Sequence, residues 1–399
     1  MSEHNIVVEG GTTVRLPTAG KYCDRDILVT AEGGGLALDV VTASSLPATV
    51  VDGQIVVITD TAAGTVYIDT DEPGSHAAGD LWIEIAAGGD AALELTEESP
   101  ILRNGLVFAY QWTGAAWDSY DGYLGVAGEW VQFSSQLPPV GTPLNDMSWA
   151  DIAKIQAADK SAKYFSIGDK KTITINGTLG STAYGNVNVD AFIIGINHNE
   201  ALEGKGLHFQ IGKIDNKIVA LIDAKYGSTS TSANNFVMKN TNNNTDGWAG
   251  AHIRTYVLGT STTPEEPRST SLLAALPEEL RAVMKGVTKY TDNKGNKTNT
   301  AACVTATTEY LWLLSEFEVY GVQGHANVYE QNYQEQYEYY SAGNPPAASR
   351  YNNTSQLANT WLRSPTLGLA THYVIVAASG AASYQQANYS QGICPCFCV

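Results

Sequence analysis

The chain has 399 residues, of which 44% are hydrophobic and 16% are charged, and its formal net charge is −18. This length allows about two or three domains with hydrophobic cores. So acidic a chain repels phosphate backbones, and we therefore expect no nucleic-acid binding. No run reaches the roughly 20 apolar residues of a membrane helix, and the start MSEHNIVVEGG lacks the pattern of a secretory signal. We therefore expect cytoplasmic synthesis without membrane insertion.

Residues 1–35 are predicted to form a small N-terminal β module. The pattern indicates a strand, the loop LPTAGKY and a second strand, followed by a flexible joint at Gly33–Gly35. The segment LPTAGKYCDRDILVTA resembles the N-terminal module of tail and fibre proteins of phages that infect Gram-positive bacteria. The resemblance implies a place in a virion, which would carry the protein out of the cell on lysis.

Residues 36–135 are predicted to form a small all-β domain. DGQIVVITD, GTVYIDTD and GDLWIEIA alternate between apolar and polar residues and are separated by turn residues. Trp112, Trp117 and Trp130 either fill the core of this domain or form a platform for sugar stacking, and the core role is favoured. The hairpin pattern resembles accessory β-domains of tail fibres.

A Pro-rich linker over residues 136–148 leads to a region, residues 149–399, that mixes helices and strands. We expect Asp146 to cap a helix through WADIAKIQAADK, with Trp149, Ile152 and Ile155 on one face. Two further helices are predicted in GWAGAHIRTYVLG, after an Asp246 cap, and in SLLAALPEELRAVMKGV. The predicted strands are two in YFSIGDKKTITING and one each in DAFIIGIN, LHFQIG, IVALIDA, LWLLSEFEVYG, WLRSP, HYVIVAASG and GICPCFCV.

The ordered segments from Trp149 to Val399 resemble a domain of phage tail proteins and related bacterial proteins that has a C-type-lectin-like fold. The fold class implied for the whole chain is multidomain, with N-terminal all-β modules followed by an α+β C-type-lectin-like domain. Some such proteins are variable proteins of diversity-generating retroelements. In those systems a reverse transcriptase mutagenises adenines near the 3′ end of the gene, while the framework strands stay fixed.

The C-terminal sequence has the composition of such a variable face. From Ser364 to Val399 it contains no Lys, Arg, Asp or Glu, and TLGLATHY and AASYQQANYSQ lie between apolar framework segments. Tyr provides rigid amphipathic contact area, and Ser, Gly and Asn provide adaptable hydrogen bonds. The alternative is an ordinary tail protein whose C-terminal loops are rich in Ala, Ser and Tyr.

We predict a ligand-binding face formed by exposed side chains of these segments and of the Tyr-rich stretch upstream. The predicted members are Tyr333, Tyr337, Tyr340, Asn344, Thr366, Leu369, Thr371, His372, Tyr373, Ser383, Tyr384, Gln385, Asn388 and Tyr389. Tyr329 and Tyr339 are predicted to lie in the core instead. The predicted framework residues are Trp361, Pro365, Gly392, Pro395 and Phe397.

The sequence contains no recognisable catalytic or metal-binding motif, and we expect no catalytic residue, cofactor or required metal. The histidines lack ligand spacing, His198 fits a turn at a strand end, and Ser364 lacks the GxSxG elbow. The five cysteines form no CxxC pair, and Cys394, Cys396 and Cys398 alternate as buried thiols of one strand would. A glycosidase pair among the many carboxylates is not excluded by sequence.

The predicted function is therefore recognition of a bacterial surface protein or glycan by a phage tail receptor-binding protein, and not catalysis. The expected location is the virion, with other tail proteins as partners and a homotrimer as the assembly, by analogy with fibres. The alternatives are a fixed structural tail protein and a tail-associated polysaccharide depolymerase. Depolymerases of this kind are usually long repetitive β-helices, and no repeat of about 20–50 residues is visible.

Overall fold

The computed structural model describes residues 140–399, Leu137 and Pro138, and, before them, Ala78 and the backbone of short strands. These residues form several β-sheets with short helices between them, so the prediction of a β-rich chain is confirmed. Two compact units divide the chain. One contains Met1–Gly141 with Ala157–Lys160, and the other contains Thr142–Gln156 with Ser161–Val399.

The elements described between residues 1 and 136 are strands. They are β1 (Asn5–Val7), β2 (Thr13–Arg15), β3 (Val40–Ala43), β4 (Ile55–Ile58), β5 (Val66–Asp69), β6 (Leu81–Ile85), β7 (Leu93–Leu95), β8 (Pro100–Leu102), β9 (Val107–Trp112), β10 (Trp117–Val126) and β11 (Glu129–Ser134). One sheet has the order β1-β2-β5-β6-β9-β10-β4-β3, with β11 also paired to β10, and β7 pairs with β8.

Strands β4, β5 and β6 confirm the three strands predicted from alternation in this unit. Strand β2 pairs in parallel with β5. This sheet therefore contains strands from before and from after the glycine joint predicted at Gly33–Gly35. The predicted loop LPTAGKY, the strand after it and the side chains of Trp112, Trp117 and Trp130 lie outside the described part of the chain.

The second unit alternates helices and strands. In chain order it contains a 3-10 turn (Leu144–Asp146), α1 (Trp149–Ala157), α2 (Ser161–Tyr164), β12 (Lys170–Leu179), β13 (Thr182–Ile196), α3 (Glu200–Glu203), β14 (Leu207–Ile214), β15 (Lys217–Ala220), a π-helical turn (Ile253–Leu258), α4 (Leu272–Ala275), α5 (Glu278–Arg281), β16 (Val287–Asp292), a 3-10 turn (Ala301–Cys303), β17 (Val304–Glu309), α6 (Glu316–Tyr320), a 3-10 helix (Val328–Asn332), α7 (Glu338–Ser341), β18 (Ala348–Arg350), β19 (Asn353–Ala358), β20 (Thr360–Pro365), β21 (His372–Val376), β22 (Ala382–Gln386) and β23 (Cys396–Cys398).

The largest sheet of this unit has the order β12-β13-β14-β15-β18-β19, and β23 pairs with β14. Phe397 of β23 lies opposite Phe209 of β14, and their rings stack with centroids 5.0 Å apart. Trp149 of α1 packs its edge against both rings, at 5.5 and 5.8 Å. The C-terminal segment ICPCFCV therefore belongs to the core sheet, as predicted. Strands β20, β21 and β22 form a second sheet, and β16 and β17 a hairpin.

Helix α1 confirms the first predicted helix, and Trp149, Ile152 and Ile155 are buried on one face. The predicted cap is wrong: Ser148, not Asp146, accepts the hydrogen bond from the Asp151 backbone N–H, at 3.0 Å. YFSIGDKKTITING forms only one strand, β12, because its first residues end helix α2.

The strand predicted in LWLLSEFEVYG is also wrong, because its second half is helix α6. Ser315 accepts a hydrogen bond from the Glu318 backbone N–H, and the Glu318 carboxylate accepts one from the Ser315 backbone N–H. This reciprocal capping box starts a helix that the apolar residues alone do not indicate.

The two central helices are shorter than predicted. The first is reduced to the π-helical turn Ile253–Leu258, and Asp246, in a left-handed conformation with φ 65°, does not cap it. The second is divided at Pro277 into α4 and α5. A proline cannot donate the backbone hydrogen bond that a continuous helix requires. Among the described residues, no helix has the length and apolar character needed to cross a membrane.

Candidate ligand-binding face

The segment from Thr366 to Tyr389 forms the β21–β22 hairpin and its flanking loops. His372 lies opposite Gln386, Tyr373 opposite Gln385, and Val374 opposite Tyr384. Strand β22 is at the edge of its three-stranded sheet, whereas β21 is in the middle. Side chains of β21 are therefore covered more completely, and all five residues of β22 keep some exposure.

Tyr373 is buried, which contradicts its predicted place on the ligand-binding face. Its ring packs edge-on against Trp361 at 6.4 Å, and its hydroxyl donates a hydrogen bond to the Gly247 carbonyl at 2.7 Å. Burial raises the pKa of Tyr373 above its ordinary value. Thr366, also predicted to be on the face, is buried as well. Both side chains belong to the core of the second unit.

Tyr337 and Tyr340 are likewise buried, because helix α7 packs against β13. The Tyr337 ring stacks on His198 with centroids 3.8 Å apart, and the Tyr340 hydroxyl donates to the Gln210 side chain. Their assignment to the ligand-binding face is therefore wrong as well. Tyr339 is buried as predicted, but Tyr329, predicted to lie in the core, is 38% exposed.

Tyr333 and Asn344 are half-buried and contact other parts of the unit. The Tyr333 ring stacks on Tyr290 of β16 at 4.5 Å, and the Asn344 amide donates to the Tyr339 carbonyl at 2.8 Å. These contacts place them beside β16 and α7, so the structure does not bring them into the hairpin. The predicted residues that remain at least partly exposed around the hairpin, on either side of its sheet, define what we call the hairpin face: Leu369, Thr371, His372, Ser383, Tyr384, Gln385, Asn388 and Tyr389.

Tyr384 is the most prominent aromatic residue of the hairpin face, with 44% of its surface exposed. Two histidine rings pack edge-on against it, His372 at 5.4 Å and His325 at 5.2 Å between centroids. Edge-to-face contacts of this kind hold an aromatic ring in a defined orientation. Sequence reasoning missed His325, since it lies 59 residues before Tyr384 and outside the charge-free segments.

The loop that carries His325 is fixed by a buried carboxylate. Glu316 accepts hydrogen bonds from the backbone N–H groups of His325 and Ala326, at 2.8 and 2.7 Å. The Leu367 backbone N–H donates to the His325 carbonyl at 2.6 Å, which joins this loop to the segment before β21. His325 is therefore held in place by the fold.

The hairpin face is uncharged near neutral pH. None of its members is Lys, Arg, Asp or Glu, and the His372 Nδ1 lies 2.7 Å from the Thr371 hydroxyl. Burial lowers the pKa of His372, so its imidazole stays neutral down to a lower pH than an ordinary histidine does. The face therefore presents hydroxyl, amide and aromatic groups without a net charge.

The five predicted framework residues Trp361, Pro365, Gly392, Pro395 and Phe397 are all buried. The Trp361 indole donates to the Phe236 carbonyl at 2.9 Å. At Gly392 an added Cβ would lie 2.7 Å from the Ala220 Cβ, so a larger residue would separate these segments. The prediction that these five residues are structural is therefore confirmed as far as their burial is concerned.

A network of buried charges lies behind this framework. Arg363 of β20 makes a two-pronged ion pair with Glu318 of α6, and both side chains are fully buried. Lys289 of β16 lies 2.5 Å from Glu203 and 3.1 Å from Glu318, and donates to the Tyr337 hydroxyl at 2.9 Å. Burial alone would raise the pKa of Glu318. The positive charges of Arg363 and Lys289 outweigh this effect and hold the pKa well below its ordinary value.

These charges satisfy one another, and solvent does not reach them, because the four charged side chains are at most 3% exposed. A buried pair that is fully hydrogen-bonded stabilises one arrangement of the elements it joins, here α3, α6, β16 and β20. We therefore assign the network to the framework. No sequence motif indicated it, because its members are scattered over 161 residues.

Glu330 and Ser364 form a second buried polar group. The Ser364 hydroxyl donates to the Glu330 carboxylate at 2.7 Å, and the Asp292 backbone N–H donates to it at 2.9 Å. Burial raises the pKa of Glu330 to about 7. Ser364 is fully buried and is a hydrogen-bond donor of the core, consistent with the absence of a nucleophile elbow.

His198, Cys396 and Cys398 also belong to the interior, whereas Cys394, predicted to be buried on the same strand, is partly exposed and precedes β23. His198 is 1% exposed, and its Nδ1 lies 3.2 Å from Glu338. Cys396 and Cys398 are buried free thiols on β23. In the described part of the chain, no three His, Cys, Asp or Glu side chains are grouped so that they could hold a metal ion.

Comparison with known proteins gives one match. Residues 217–399 match the sequence profile of a family described as a domain of unknown function, DUF6273. The match includes the hairpin face and begins at β15, so it leaves out β12–β14 of the largest sheet. No curated protein and no solved structure matches the chain.

Proposed function

We propose that this protein binds a ligand on a bacterial surface through the hairpin face, as a receptor-binding protein of a phage tail. The observation that carries the proposal is the environment of Tyr384. Its exposed ring is oriented by His325 and His372 on an uncharged edge strand, while the strands behind it are buried. Exposed aromatic residues on a rigid support are typical anchors of binding sites.

The same division supports a C-type-lectin-like domain with a variable face. Side chains of β22 are partly exposed and make few specific contacts, so substitutions there would cost little stability. Side chains of β20 and β23 are buried and would not tolerate such changes. We infer that retroelement mutagenesis, if the gene undergoes it, acts on β22 and its flanking loops.

We do not propose the buried charged network as a catalytic site. An enzyme that used Glu318, Lys289 or Arg363 would have to bring substrate to side chains that are covered by protein. The resemblance of residues 16–31 to tail proteins supports a place in the virion with other tail proteins. A homotrimer fits this role, since repeated weak contacts add through effective concentration.

The test is binding of the full-length protein, labelled with a fluorophore, to intact cells of a panel of Gram-positive bacteria. We expect binding to some strains and its loss in Tyr384→Ala. Tyr329→Ala is the matched control, because it removes another exposed tyrosine that is not part of the hairpin face. Binding that survives Tyr384→Ala unchanged contradicts the proposed face.

The same cells distinguish the two rival functions. A structural tail protein would bind none of the strains. A depolymerase would release soluble saccharide from the cell surface with time, and Tyr384→Ala alone would not be expected to stop a reaction at another site. Release of saccharide would therefore overturn the proposal of a pure binding protein.

A further inference from the structure

An open cleft of about 870 Å³ lies beside the edge strand β12. Strands β12 and β13 line one side with Thr172, Thr174, Asn176 and Asn186, and the start of α1 and the segment from α4 to α5 line the others. This volume is in the range of sites for small ligands, about 300–1,000 Å³. None of the residues that line the cleft belongs to the hairpin face.

A β-bulge shapes the part of the cleft formed by β12 and β13. Ile175 pairs with Val187 and Gly177 pairs with Tyr184, so Gly185 and Asn186 together lie opposite Asn176. Asn186 has a left-handed conformation with φ 53°. Bulges change the direction of side chains and are common beside functional sites, and left-handed conformations of residues other than glycine are uncommon.

The bulge presents two free carboxamides to the cleft. Asn176 and Asn186 are exposed, and among the described residues neither side chain has a hydrogen-bond partner. The neighbouring polar side chains are already hydrogen-bonded: the Thr172 hydroxyl donates to Asp190 at 2.8 Å, and the Thr174 hydroxyl donates to Asn188 at 2.7 Å. Each free carboxamide can donate two hydrogen bonds and accept two.

The other lining residues decide the charge of a fitting ligand. The Lys171 ammonium donates to the Asn145 and Met147 carbonyls, and burial lowers its pKa. Glu279 contributes one negative charge, so the charged lining residues cancel. Pro277, Ala282 and Val283, which are at least partly exposed, add an apolar surface to the cleft. Such a cleft fits a neutral ligand with hydroxyl or amide groups on one side and C–H groups on the other.

We propose that this cleft is a second binding site, for a short neutral saccharide, with Asn176 and Asn186 as the hydrogen-bonding residues. Sugar hydroxyl or acetamido groups would bond to the two carboxamides, and the C–H face of a ring would pack on Pro277 and Val283. This site is independent of the hairpin face and would let the protein hold a surface glycan in addition to its receptor.

The experiment is calorimetric titration of the full-length protein with three neutral probes: N,N′,N″-triacetylchitotriose, maltotriose and cellotriose. We expect at least one to bind and Asn186→Gly to weaken its affinity about tenfold, the effect of losing one or two hydrogen bonds. Asn216→Gly is the matched control: Asn216 is an exposed residue in the β14–β15 turn with φ 63°. Both substitutions put glycine at a left-handed position, which it adopts without strain.

Three results would overturn the proposal. They are no binding of any probe at about 10 mM, equal weakening by Asn216→Gly, and binding of a capped, uncharged tripeptide such as N-acetyl-trialanine amide in preference to the sugars. Asn176→Ala, on the neighbouring strand, should reproduce the effect of Asn186→Gly. Tyr384→Ala should leave the saccharide affinity unchanged. Calorimetry therefore tests the cleft alone, and the cell-binding experiment tests the hairpin face alone.

Discussion

Tyr373 and Tyr384 lie on adjacent strands of one hairpin but point to opposite faces of its sheet. Tyr384 is opposite Val374, the residue after Tyr373, and successive residues of a strand alternate between faces. Tyr373 is fully buried with its hydroxyl bonded to Gly247, whereas Tyr384 is 44% exposed. An offset of one residue in register thus separates a core residue from the exposed residue that we propose as a ligand anchor.

This offset predicts different effects on stability. Tyr373→Ala should lower the free energy of unfolding by about 3–5 kcal/mol, as emptying a buried aromatic site does. Tyr384→Ala should change it by at most about 0.5 kcal/mol. Urea denaturation followed by tryptophan fluorescence measures both, and equal destabilisation by the two variants would contradict the assigned register.

The pair Arg363–Glu318 should be critical for folding. Arg363→Met leaves Glu318 with one of its two cationic partners removed in a fully buried site, and we expect a loss of about 3–5 kcal/mol. Lys170→Met is the matched control, because Lys170 pairs with Asp190 at 2.8 Å but is 44% exposed. Its loss should cost at most about 1 kcal/mol in the same denaturation assay.

Glu330 should make stability fall as pH rises towards neutrality. Its pKa of about 7 in the folded protein is above the ordinary value of 4.5, so the folded state binds the proton more tightly than the unfolded state. The favourable contribution is complete below about pH 4.5 and is lost as pH rises through 7, with a span of about 3 kcal/mol.

Glu330→Gln removes this titration, and the stability of the variant relative to the native protein should therefore increase between pH 5 and 8. Denaturant midpoints measured at half-unit steps of pH test this difference. Parallel pH profiles for the two proteins would show that Glu330 does not take up a proton in this range.

The cysteines should differ in reactivity in the folded protein. Cys396 and Cys398 are buried, and burial raises the pKa of Cys398 to about 12, so few thiolates form at pH 8. Cys303 is partly exposed and should react with iodoacetamide before Cys396 and Cys398. Peptide mass spectrometry before and after addition of urea locates the label. Rapid labelling of Cys398 without urea would contradict its burial.

Much of the strand content was predictable from the sequence, because alternation is a local property of a few consecutive residues. This alternation correctly predicted strands β4–β6, β13, β14, β20, β21 and β23. The sequence also correctly predicted the burial of Trp361 and Phe397. Local rules also explain an error: the Ser315–Glu318 capping box was present in the sequence, but the apolar run LWLL was given more weight.

The candidate site depended on tertiary structure. Composition identified a charge-free segment, and that segment does form the exposed hairpin, but tyrosine is equally compatible with a core and with an exposed anchor. Tyr373 is buried because Gly247 and Trp361 cover it, and Tyr337 because α7 packs it against His198. His325 joins Tyr384 only because Glu316 fixes its loop. Such contacts join residues that are distant in the chain, and no local pattern encodes which of them meet.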